Sequence, residues 1–147
     1  MKTIFDTNTR KELIQRINNL TAENQNLWGK MNVYQMLKHG SLGEEMFLGK
    51  KTYKRLFIGR LFGPMALKGI LKDDSPVKRN QPTHPAMVVK GSGNFKAEQA
   101  KWIDLLESYN SFTTESFVHP FFGKMNKEQI GVFVYKHTDH HLRQFGV

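Results

Sequence analysis

The chain has 147 residues, 39% of them hydrophobic, and sets 22 Lys and Arg against 13 Asp and Glu for a formal net charge of +9 with histidine neutral. That length suits one domain spanning residues 1–147 around a single core. The absence of cysteine excludes disulfides, a thiolate nucleophile and thiolate metal ligands, so a bound metal must be held by His, Asp or Glu.

The N-terminal stretch MKTIFDTNTRKELIQ lacks the apolar run of a signal peptide, and no later segment approaches a membrane span. A soluble, cytoplasmic protein without a membrane partner is expected. The basic balance predicts attraction for anions such as nucleic acid, acidic headgroups or a small anionic substrate.

In chain order, Leu13, Ile14, Ile17 and Leu20 repeat at helical spacing, predicting a first helix from Asp6 to about Leu20 with Asp6 or Thr7 as its cap. Asn32 is placed to cap a second helix from Val33 to about Leu48, whose inward stripe includes Met36, Leu37, Gly40, Gly43 and Phe47 with His39 beside it. The segment YKRLFIGRLFGPMALKGILKDD reads as two short apolar helical pieces split at Gly63-Pro64. DDSPVKRNQPTHPAMVVKGSGN reads as a long ordered loop. Asn94 caps a further helix carrying Trp102, Leu105, Leu106 and Tyr109. Asn126 opens the last helix with Gln129 completing a capping-box arrangement. No strand-period run of useful length is present. The sum predicts an all-α domain, a four-helix bundle with an irregular Pro/Gly-rich middle.

Ile130, Phe133, Val134, His137, His141 and Phe145 share one face of the last helix. His137 and His141, four apart, stack one turn apart and can reach one ion, and His39 on the second helix is the natural third ligand. Three neutral imidazoles with a fourth position open describe a catalytic site, which suits Zn²⁺ best, with Ni²⁺, Fe²⁺ or Co²⁺ as alternatives. Spacing alone is a weak motif. A buried pair bonded to backbone or tyrosine and a solvent-exposed cluster both stay open beside the metal reading.

The stretches LWGKMNVYQMLKHG, with His39, and HPFFGKMNKEQIGVFVYKHTDHHLRQFG, with His137 and His141, resemble the DinB-like (YfiT-like) metalloenzyme superfamily, and within it a branch known as a domain of unknown function. The connecting RLFGPMALKGILKDD and PTHPAMVV resemble that branch too, so the likeness runs over nearly the whole chain. The resemblance implies a four-helix bundle with a divalent metal on His39, His137 and His141. It also implies chemistry of the kind found among thiol-dependent transferases and an isomerase, in which the metal activates the sulfur of a low-molecular-weight thiol.

Other polar residues carry smaller expectations. His140 is placed at the boundary or behind the ligands; Asp139 is read as a surface charge. Arg143 and Gln144 are candidates to bind a substrate carboxylate or orient an imidazole, with Arg143 alternatively a charge complementing the helix end. His119, before Pro120, is a candidate for the pocket mouth and more simply a loop histidine bonded to backbone; His84 reads the same way. Glu44 and Glu45 are the carboxylates nearest His39 in sequence, exposed by default. Two competing functions are a basic nucleic-acid-binding protein and a non-catalytic bundle stabilised by metal. The scattered cations and missing motif argue against the first. A homodimer stays open through an apolar bundle face.

Overall fold

A computed structural model describes residues 1–147. Helix α1 (Thr7–Asn18) begins where the Asp6 carboxylate accepts from the Thr9 N–H at 2.7 Å. Helix α2 (Val33–Phe47) opens on a full capping box, Asn32 and Gln35 each accepting from the other's backbone N–H, and α5 (Lys127–Gln144) repeats it with Asn126 and Gln129. Asn94 caps α4 (Phe95–Glu107), accepting from the Ala97 N–H at 2.9 Å. Each cap satisfies donors that a helix start leaves orphaned, so these residue types at these offsets fix the boundaries.

Helices α1, α2, α4 and α5 enclose a core that includes Leu13, Ile17, Met36, Leu37, Trp102, Ile130 and Phe145. The most extensive contact between two helices is that of α2 with α4. A Cβ on Gly40 would come within 2.5 Å of the Trp102 ring, so only glycine allows the two backbones to pack around that indole.

The expected all-α four-helix bundle is corrected here: the protein has five helices and a two-stranded antiparallel sheet. Strands β1 (Ser116–His119) and β2 (Gly123–Asn126) pair as a hairpin, Ser116 opposite Asn126 and His119 opposite Gly123. Gly123 sits at φ +83°, in the left-handed region that glycine enters without strain. Burial alternates along both strands, but four residues apiece are too few to reveal a period of two in the sequence.

The second correction concerns Pro64. The apolar middle forms one continuous helix, α3 (Phe57–Ile70), with Pro64 inside it, where two pieces were expected. Proline there lacks the N–H that would reach back four residues, at a cost of about 3 kcal/mol. Tertiary contacts hold the helix despite that cost. Gly59 and Gly63 press against the hairpin turn so closely that a Cβ on Gly63 would lie 2.0 Å from the Phe121 carbonyl oxygen. The Leu56 N–H donates to Pro120 O at 2.9 Å. At the other end the Lys136 ammonium donates to the carbonyls of Ile70 and Asp73 at 2.6 and 2.7 Å. The segment that follows runs as a loop with one 3-10 turn at Pro85–Met87.

Candidate metal centre

α2 and α5 bring His39, His137 and His141 together, with one nitrogen of each within 4.8 Å of the others. The ring centroids are 5.4 Å apart for His39 and His137, 5.0 Å for His39 and His141, and 4.6 Å for His137 and His141. His39 is 5% exposed, His141 is equally buried, and His137 retains partial access to solvent.

Hydrogen bonds behind the rings decide which nitrogens face inward. His39 Nδ1 lies 3.2 Å from Met87 O, and a carbonyl only accepts, so Nδ1 carries the proton and Nε2 presents a lone pair. Gln144 does the same for His141. Its Nε2 donates to Trp28 O at 2.8 Å, which turns Oε1 toward His141 Nδ1 at 2.9 Å, and this oxygen requires the proton there. Outer partners of this kind fix both tautomer and ring orientation in histidine metal sites.

His141 Nε2 and His137 Nε2 are 3.2 Å apart. The edge of a tetrahedron with metal–nitrogen bonds of about 2.0–2.1 Å is about 3.3 Å, so this pair already has the spacing of two ligands on one ion. His39 completes the triangle once the longest separation draws in by up to about 1.5 Å.

Burial holds all three imidazoles neutral. It pushes His141 down to about 3, with His39 adding to the effect. His137 falls well below its ordinary value through burial and then its imidazole neighbours, and His39 is lowered by burial against the opposing bond to Met87. Neutral rings bind a cation without first losing protons.

No carboxylate joins the cluster. Glu44, expected to be exposed, is 1% exposed and accepts from the Tyr109 hydroxyl at 2.5 Å; burial raises its carboxyl to about 7. Glu45 is bound between Lys51 at 2.8 Å and Lys101 at 2.7 Å. Asp139, expected at the surface, is 7% exposed, because Arg16 of α1 closes over it at 2.8 Å while Arg143 pairs with it at 2.7 Å. Arg143 is thereby committed to Asp139, whereas Gln144 orients a ring as one of its two expected roles allows.

His140 lies at the boundary, edge-on to Trp28 at 5.6 Å and 5.2 Å from the His141 ring. His119 is bonded to backbone, the simpler of its two readings. Its Nδ1 accepts from the N–H groups of Phe121 and Phe122, both at 3.1 Å, and its ring lies between Phe47, Phe122 and Phe133. His84 is likewise a loop histidine, Nε2 on Lys54 O and Nδ1 accepting from the Ala86 N–H.

Several neighbours of the cluster escaped the sequence reading. Met87 acts through its main chain, which leaves no mark on residue type. Phe133, expected on the same helix face as His137, stacks on that ring at 5.7 Å with the planes 12° apart, a contact not anticipated for it. Trp28 carries the Arg79 guanidinium 4.1 Å over its ring, a loop-to-loop contact without local periodicity.

The structure thus brings three imidazoles together, in a group that could hold one metal ion, with hydrogen-bond partners behind two of them. Residues 3–146 match the family model described as "Protein of unknown function (DUF1569)", and the chain belongs to that family. No curated protein and no solved structure matches it.

Proposed function

We propose that the protein is a divalent-metal-dependent enzyme in which His39, His137 and His141 hold one ion and leave its remaining position to a small molecule. The observation that carries this reading is the convergence of imidazole nitrogens whose tautomers are set from behind by Met87 O and Gln144 Oε1.

Zn²⁺ fits an all-imidazole set best, with Ni²⁺, Fe²⁺ and Co²⁺ as alternatives. Three neutral ligands leave the full double charge of such an ion to whatever takes the fourth position, which favours an anion and lowers the pKa of a bound thiol or water. A thiol would come from a low-molecular-weight co-substrate, since the chain has no cysteine. Thiol transfer is the form of this activity that the DinB-like resemblance favours. The partial exposure of His137 gives such a molecule its approach. A purely structural metal would call for a fourth protein donor, and no further His, Asp or Glu belongs to the cluster.

Elemental mass spectrometry on tag-free protein, parent against His137→Ala, tests the site. Near-stoichiometric metal lost in the variant is expected, followed by a thiolate charge-transfer band when thiol is added to Co²⁺-substituted protein. No metal in either protein after incubation with Zn²⁺ and Ni²⁺ would leave a hydrogen bond between His137 and His141 as the reason for their contact.

A further inference from the structure

Helix α3 is apolar on two opposite faces. Its inner face, with Gly59, Gly63 and Leu67 buried, rests on the hairpin turn. Its outer face carries Phe57, Ile58, Leu61, Phe62 and Met65, each exposed to between 50% and 76%. At 100° per residue these five side chains share one arc of about 140°, a contiguous patch of a kind that marks an interaction surface.

The surroundings of this patch are basic. Arg60 lies outside one edge of the arc and Lys68 just within that edge, beyond Met65 along the helix, and both are exposed. Lys50, Lys54 and Arg55 precede the helix, Lys72 follows it, and no Asp or Glu occurs between Glu45 and Asp73.

Charge decides the occupant. A second copy docked through this face would bring the same cations together from both sides, on chains that each carry +9. An anionic bilayer surface meets both features at once: Phe, Leu, Ile and Met side chains enter the boundary between headgroups and acyl chains while Lys and Arg reach the phosphates. With 14 residues α3 is too short to cross a bilayer, and no helix of the protein is long and apolar enough to do so, so α3 would lie in the plane of the surface. It is also preformed, held from behind through Pro120 and Lys136, so docking requires no folding of the helix.

We propose that the outer face of α3 and its basic margin dock the protein on anionic lipid headgroups at a membrane surface. Co-sedimentation of the full chain with phosphatidylcholine vesicles, with and without abundant phosphatidylglycerol, tests this at low salt. Binding is expected only to the anionic vesicles and should fall as salt screens the charges. Phe57→Ser with Leu61→Ser should weaken it by about tenfold or more. Arg60→Gln and Lys68→Gln should each cost about fivefold. All four replaced side chains are exposed, so unchanged circular-dichroism melts serve as the control for folding. Absence of binding to anionic vesicles at low salt, equal binding to both vesicle types, or a dimer in sedimentation equilibrium that the Phe57→Ser/Leu61→Ser change abolishes while vesicle binding is nil, would each overturn the proposal.

Discussion

Gln144 holds the His141 ring by its protonated Nδ1 at 2.9 Å while its amide nitrogen is anchored on Trp28 O at 2.8 Å. The link from the Trp28 main chain to the imidazole therefore passes through a single side chain. Gln144→Ala should weaken Zn²⁺ binding by about 10- to 100-fold, the usual consequence of losing such a partner, while Gln144→Glu keeps an acceptor on Nδ1 and should retain most of the affinity. Competition against a chromophoric chelator reads both; equal affinity in parent and Gln144→Ala would remove the orienting role.

The Glu44 carboxyl titrates near 7 in the folded protein and near its ordinary 4.5 unfolded, because burial opposes the charged form. Between those values the folded state binds the extra proton, so this group's contribution is fully present below about pH 4.5 and is lost as pH rises through 7. The loss is on the order of 3 kcal/mol. Glu44→Gln keeps an acceptor for Tyr109 and cannot ionise. Its denaturation midpoint should match the parent near pH 4.5 and exceed it at pH 8. A constant difference across that range would contradict the assignment.

Asp139 neutralises two guanidinium groups, and Arg16 also donates to Val147 O at 2.9 Å. Asp139→Ala should lower stability by about 2 kcal/mol, less than for a fully buried pair because Arg143 is half exposed. Metal stoichiometry should be unchanged, since Asp139 is not among the cluster residues. Urea titration alongside metal analysis separates this structural role from that of Gln144.

Two glycines of α3 should respond with opposite signs. Gly69 has open space where a Cβ would go, so Gly69→Ala should stabilise by about 0.5–1 kcal/mol through helix propensity. Gly63→Ala drives a methyl group into the Phe121 backbone and should destabilise by about 2 kcal/mol, loosening α3 from the hairpin. Thermal melts give the signs, and limited proteolysis of α3 locates the damage. A stabilising Gly63→Ala would mean the two backbones are not in contact.

Much of the helical frame was legible because its signals are local. Asp6, Asn32, Asn94 and Asn126 each mark a helix start within three residues of the group they bind. The phase of His39, His137 and His141 was legible for the same reason, as was Gln144, three residues from its ring. What failed depends on partners distant in sequence. Asp139 is buried by Arg16, Glu44 by Tyr109, and the Pro64 helix is held by Phe121 and Lys136. The hairpin was missed because its strands are shorter than the pattern that identifies strands.

The bond between His39 Nδ1 and the Met87 carbonyl places the 3-10 turn at Pro85–Met87 in series with the ring. Whatever loosens that turn frees the imidazole to rotate, and whatever grips the inward nitrogen of His39 restrains the turn. The opening equilibrium of the loop and the affinity of the cluster are then two readings of one coupling free energy, equal in each direction. Amide exchange along residues 84–88 would then report occupancy of the proposed site, although none of its three histidines lies in that segment.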